Sequence, residues 1–101
     1  MPQATRVEDI NTGHDMCAPV PLIKGSPNVF INGRQAGRVG DPYAPHKCLI
    51  HPVHVGTIGP LIKTVGSSTV FINGQPAGRV GDAVSCGGSG AVGSPNVIIG
   101  G

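Results

Sequence analysis

The chain has no tryptophan, one tyrosine (Tyr43) and two phenylalanines (Phe30 and Phe71) among its 101 residues. A core built from valine, isoleucine and alanine is thin at this length, so a staple such as a metal or a partner subunit is expected. Charge is sparse too: seven Lys and Arg against five Asp and Glu, a formal +2, with the basic residues scattered. No basic run tracks a phosphate backbone and only Tyr43 could stack on a base, which speaks against nucleic-acid binding. No apolar stretch approaches the roughly 20 residues of a membrane-spanning helix, so no stable membrane anchoring is expected. The opening Met1-Pro2-Gln3-Ala4-Thr5-Arg6 lacks the apolar segment of a secretory signal. Synthesis in the cytoplasm is therefore expected, with any exit by another route. An apolar pattern of helical period is missing, and Gly or Pro interrupts every candidate window. The three cysteines are an odd set for a disulfide framework and leave metal binding open.

What is abundant is punctuation, with 17 glycines and 10 prolines. Without a period this composition would suggest low complexity, but a period is present. Residues 25–41, GSPNVFINGRQAGRVGD, match residues 66–82, GSSTVFINGQPAGRVGD, at 13 of 17 positions. The opening half returns at 93–101 as GSPNVIIGG, and its closing half stands near the start of the chain. There Ala4-Thr5-Arg6-Val7-Glu8-Asp9 matches Ala36-Gly37-Arg38-Val39-Gly40-Asp41 at four of six positions. The chain thus reads as three modules cut inside one of them. A solenoid has open, capped ends, whereas a third copy completed by the N-terminus predicts a closed, pseudo-threefold ring whose termini meet.

Each module predicts a β-hairpin. Val29-Phe30-Ile31 is β-branched and aromatic, and Asn32-Gly33 after such a run marks a type I′ turn. Arg34 to Val39 is the expected return strand, Asn73-Gly74 repeats the turn, and residues 4–7 are expected to supply the third return strand. Alternation places Val29 and Ile31 on one face and Phe30 on the other. The fold class expected is all-β, a pseudo-threefold ring of short strands and hairpins.

Every histidine lies in a loop between modules: His14 in residues 10–24, and His46, His51 and His54 in residues 42–65. His14 and His46 stand five residues after Asp9 and Asp41, and Cys86, in the loop of residues 83–92, stands four after Asp82. A pseudo-threefold fold carries equivalent loop positions towards one axis, so His14, His46 and Cys86 are candidate metal ligands. His54 is preferred as the fourth because its stretch returns to the apolar part of the module, with His51 in reserve. Three His and one Cys suit a tetrahedral zinc ion, and ferrous iron is compatible with the same ligand types. Cys17 and Cys48 read as small buried or half-exposed thiols. Asp9, Asp41 and Asp82 suggest carboxylate chemistry less than the capping of a turn N–H, and Arg6, Arg38 and Arg79 fit either a basic ring for an anion or, the favoured reading, a structural pairing with those aspartates.

These residues resemble a known family. The blocks NGRQAGRVGD and NGQPAGRVGD, the SxxVFING openings, GHDMC and the closing GSPNVIIGG look like PAAR-repeat proteins over essentially the whole chain. Gln35-Ala36-Gly37-Arg38 and Pro76-Ala77-Gly78-Arg79 stand where Pro-Ala-Ala-Arg names the family, a mild departure in a strand. The resemblance implies a cone with a metal site near its apex, whose zinc is held by three His and one Cys, mapping onto His14, His46, His54 and Cys86. It also implies one cap per trimeric β-helical spike, in type VI secretion systems (the VgrG proteins), contractile phage tails and related injection systems. No catalysis is implied; the expected role is a stiff tip for membrane piercing and effector delivery, carried out of the cell or within a virion. The strands around Val29–Ile31, Val70–Ile72 and Val97–Ile99 are interface candidates, the competing view being that they are core. Residues 1–101 are expected to form a single domain without an extension. Two rival functions are an adaptor that tethers effectors to the spike and a zinc hydrolase, which needs an open coordination position.

Overall fold

The computed structural model describes residues 2–13, 18–45, 58, 66–85 and 88–100. Four short strands are present: β1 (Phe30–Ile31), β2 (Arg34–Gln35), β3 (Phe71–Ile72) and β4 (Gln75–Pro76). β1 pairs antiparallel with β2 and β3 with β4, in two separate two-stranded sheets. No helix occurs among the described residues, and the fold is all-β. Both turns are as the sequence predicts, with positive φ at Asn32 (54°), Gly33 (78°), Asn73 (55°) and Gly74 (79°).

The third hairpin is assembled from the two ends of the chain. Gln3 pairs with Ile98, the Ala4 N–H donates to the Val97 carbonyl, and the Ile99 N–H donates to Pro2, both at 2.9 Å. The return strand is therefore residues 2–4 and not 4–7. The expected long return strand in the first module is also shorter than its sequence suggests. Arg34–Gln35 form the ladder with β1, the Ala36 N–H still donates to Val29 at 2.9 Å, and beyond it the chain changes partner. Arg6 bridges Ala36, Arg38 bridges Ala77, and Arg79 bridges Ala4, all antiparallel. A strand that stayed with its own hairpin would leave each module a separate, marginal two-stranded unit. Switching partner closes the ring.

At the centre of that ring three backbone hydrogen bonds run head to tail. Thr5 N–H donates to Gly78 at 3.1 Å, Gly78 to Gly37 at 2.9 Å, and Gly37 to Thr5 at 2.8 Å. These bonds define a pseudo-threefold axis, and a core cluster lies on each side of them. At the hairpin end, Ala4, Ala36 and Ala77 pack with Ile31, Ile72 and Ile99. At the loop end, Leu22, Tyr43, Ile58 and Val84 form the second cluster. Alternation holds for Ile31, which is buried, and Phe30, which is exposed, but Val29 is 37% exposed at the edge of its strand.

Candidate functional site

The repeated charges are structural. Arg38 places Nε and Nη2 each 2.9 Å from the two carboxylate oxygens of Asp41, a bidentate pair. Arg6–Asp9 has the same geometry at 2.9 Å, and Arg79–Asp82 at 3.2 and 3.0 Å. Each Asp Oδ2 also accepts the backbone N–H of its own arginine, at 2.9, 2.9 and 2.7 Å. Both readings of these aspartates, turn cap and arginine partner, are thus correct together. The hydrogen bond to the carboxylate raises the pKa of Arg6 and Arg38 above its ordinary high value.

A second repeated contact ties module to module. The hydroxyls of Ser26, Ser67 and Ser94 accept the N–H of Val29, Val70 and Val97, all at 2.9 Å. Ser26 then donates to Asn73 Oδ1 at 2.6 Å and Ser94 to Asn32 Oδ1 at 2.5 Å. The arginines converge on the same oxygens, Arg38 on Asn73 at 3.2 Å and Arg6 on Asn32 at 3.1 Å. Sequence reasoning assigned these asparagines to turns alone; the serine recurring at one register ahead of each strand was the available signal.

At the loop end the three loops leave from equivalent stems. Leu22, Ile58 and Gly90 donate their N–H to Asp9, Asp41 and Asp82 at 2.9, 3.0 and 3.1 Å. Tyr43 and Val84 pair with Leu22 and Ile58, and Asn11 pairs with Gly90. Two sectors of the apex are therefore filled by large apolar side chains, and the third by glycine and asparagine. Gly37 and Gly78 make room for this filling. A Cβ on either would lie 2.9 Å from an apolar methyl, Leu22 Cδ2 or Ile58 Cδ1 respectively. In the third sector Thr5 occupies the equivalent position beside Gly90. Its Oγ1 is the one buried side-chain polar atom among the described residues without a hydrogen-bond partner. Burial, with the nearby charges of Asp9 and Asp82, pushes the Tyr43 hydroxyl up to about 12.

The candidate ligands His14, His46, His51, His54 and Cys86, like Cys17 and Cys48, lie outside the described residues. Among the described residues no three His, Cys, Asp or Glu side chains gather as a potential metal cluster. The described stems nevertheless bring the first and third loops, which carry His14 and Cys86 in sequence, side by side. Thr12 N–H donates to Ser89 at 2.8 Å, one residue after Asn11–Gly90. At the hairpin end the exposed positions of the three modules carry Phe30 (56% exposed), Phe71 (58%) and Ile98 (53%). The interface candidates therefore divide: Ile31, Ile72 and Ile99 are core with Val97 packed against them, while Val29, Phe30, Val70, Phe71 and Ile98 are exposed.

A comparison with curated proteins gives no match. The profile of one protein family, described as the PAAR motif, matches residues 12–92. That span takes in both complete hairpins and the second loop stem, and begins inside the first loop. The chain is a member of the PAAR family, the structural spike-tip proteins of injection systems.

Proposed function

We propose that this chain is a metal-stabilised tip that caps and sharpens the trimeric spike of a contractile injection system. The supporting observation is the ring of Phe30, Phe71 and Ile98. Three equivalent, half-exposed apolar side chains surround a pseudo-threefold axis in one polypeptide. Large exposed apolar groups of this kind mark interaction surfaces. A single copy then presents one anchor to each subunit of a trimer. No turnover is involved. The spike, VgrG-like or its phage-tail counterpart, would carry the cap from the cytoplasm out of the cell or within a particle.

The donor set at the loop end has the right chemistry for a structural zinc site. Three imidazoles and a thiolate from His14, His46, His54 (or His51) and Cys86 would satisfy a tetrahedral ion. Bound there, the ion would tie the loops together, a contribution on the order of 10 kcal/mol in small zinc domains. The apolar apex of Leu22, Tyr43, Ile58 and Val84 would keep water from the ligand bases. Elemental analysis tests the ion: one zinc per chain, lost in His14→Ala and Cys86→Ala, is expected, and full metal content in both variants would refute the ligand set. Light scattering of the chain mixed with a VgrG-type trimer tests the cap. One chain per trimer is expected, and three per trimer would overturn the symmetry match.

A further inference from the structure

Residues 25–29 and 93–97 carry the same sequence, Gly-Ser-Pro-Asn-Val. The two copies lie in sockets that match bond for bond. Ser26 and Ser94 donate their N–H to Ala36 and Ala4, both at 2.8 Å. Ala36 and Ala4 donate theirs back to Val29 and Val97, both at 2.9 Å. Asn28 and Asn96 accept at Oδ1 from the side-chain amides of Asn73 and Asn32, both at 2.9 Å. Arg38 and Arg6 reach the carbonyls of Gly25 and Gly93 at 3.4 and 3.2 Å. A Cβ on Gly25 or Gly93 would stand 2.6 Å from the carbonyl oxygen of Ala36 or Ala4, so both sockets demand glycine there. The sockets differ in one respect. Segment 25–31 reaches its return strand through the Asn32-Gly33 turn, whereas 97–99 meets residues 2–4 only across the closed ring.

We propose that the third socket accepts residues 93–100 from a second copy of this chain, giving a dimer in which two rings exchange that segment. Unlike the other two hairpins, this one separates without undoing a turn. Once the segment leaves, residues 2–4 present unpaired backbone groups, a template for another strand. The incoming segment fits because it is the one the socket already holds. Every bond named above, and the burial of Ile99 beside Ala4, is remade between copies, so the exchanged form gives up no contact of the closed ring. The hinge falls at Ala91 and Val92, both exposed and each held by its N–H to the Ile10 carbonyl, at 3.1 and 3.2 Å. The exchange needs neither a metal nor a spike, and so stands apart from the cap reading.

Incubating concentrated monomer, followed by size-exclusion chromatography and native mass spectrometry, is expected to give a slowly formed dimer. Two variants identify its route. Gln3 and Ile98 are exposed partners flanked by the Ala4–Val97 and Ile99–Pro2 bonds, the close pair of an antiparallel ladder. Gln3→Cys with Ile98→Cys is expected to stay monomeric when that pair is oxidised and to dimerise when reduced. Ser94→Ala removes the bond to Asn32, which the closed ring and the exchanged dimer share and the opened segment lacks. It is expected to speed dimer formation about 3- to 10-fold while leaving the final monomer–dimer ratio unchanged. Ser26→Ala, the same loss in a turn-closed hairpin, is expected to leave the rate as it is in the wild type. No dimer from the wild type, or a dimer formed equally by the oxidised variant, overturns the exchange. Equal acceleration by Ser26→Ala and Ser94→Ala would mean that the whole ring unfolds first, and overturns the third socket as the site.

Discussion

Ser67 donates its hydroxyl proton to the main-chain carbonyl of Gly100 at 2.6 Å. In the other two modules the equivalent serine donates to an asparagine side chain, Asn73 or Asn32. Arg79 Nη1 follows the same substitution, reaching Gly100 at 3.5 Å. In this module Gly100 stands where the others have the turn asparagine, and its backbone oxygen takes over the acceptor's place.

The side-chain acceptors are worth removing first. Asn73→Gly deletes the bonds from Ser26 and Arg38 while suiting the positive φ. It is expected to lower unfolding free energy by about 1–2 kcal/mol, and Asn73→Ala by about 1 kcal/mol more for the left-handed backbone. Urea titration measures both. Equal losses would mean that the turn conformation contributes nothing at this site.

The Arg38–Asp41 pair has its carboxylate buried and its guanidinium mostly so. Arg38→Met leaves Asp41 unpaired and is expected to cost about 3–5 kcal/mol, whereas replacing both residues by apolar ones should cost much less. A double-mutant cycle followed by thermal melting reads the coupling. Additive losses would show that the two residues act independently.

Gly78→Ala restores the alanine of the family's namesake motif. Its Cβ would stand 2.9 Å from Ile58 Cδ1, so overpacking is expected to cost about 1–3 kcal/mol. Ile58→Val removes that methyl and should recover part of the loss in the double variant. A neutral Gly78→Ala would show that the apex has slack around Ile58. The departure from the namesake motif looks mild in sequence, but it is coupled to the size of a residue in a loop.

Tyr43 gives a pH dependence of known sign. Its folded value, about 12, lies above the ordinary value near 10. Folding therefore favours the protonated hydroxyl, and this stabilisation is complete below pH 10 and declines as pH rises from there through about 12. The loss approaches about 3 kcal/mol. Tyr43→Phe should abolish this component of alkaline unfolding. Far-ultraviolet circular dichroism follows alkaline unfolding in both forms. Identical alkaline unfolding in Tyr43→Phe would assign the transition to other groups.

The sequence revealed most where one residue type has one physical use. Asn-Gly demands positive φ, so both turns could be placed exactly where they occur, at Asn32-Gly33 and Asn73-Gly74. The Arg-x-x-Asp spacing, three times repeated, likewise disclosed its pairing. Contacts made by the ring itself were hidden. Ser26 and Asn73 are 47 residues apart, and neither is unusual in a turn. The change of partner after Ala36 is set by ring closure, not by any local preference, and so the return strand was overestimated. The exposure of Val29 was hidden for a related reason: a two-residue strand has too little pleat to bury its outer neighbour. At the candidate metal centre the stems are described, while the candidate ligands lie outside the described residues.

The hairpin built from the two termini has a mechanical consequence. A pull on either end of the chain is borne first by the contacts joining Pro2–Ala4 to Val97–Ile99. The two turn-closed hairpins are covalently continuous and lie further along the load path. Tension applied between the two ends would therefore open this third of the ring before it strained the rest.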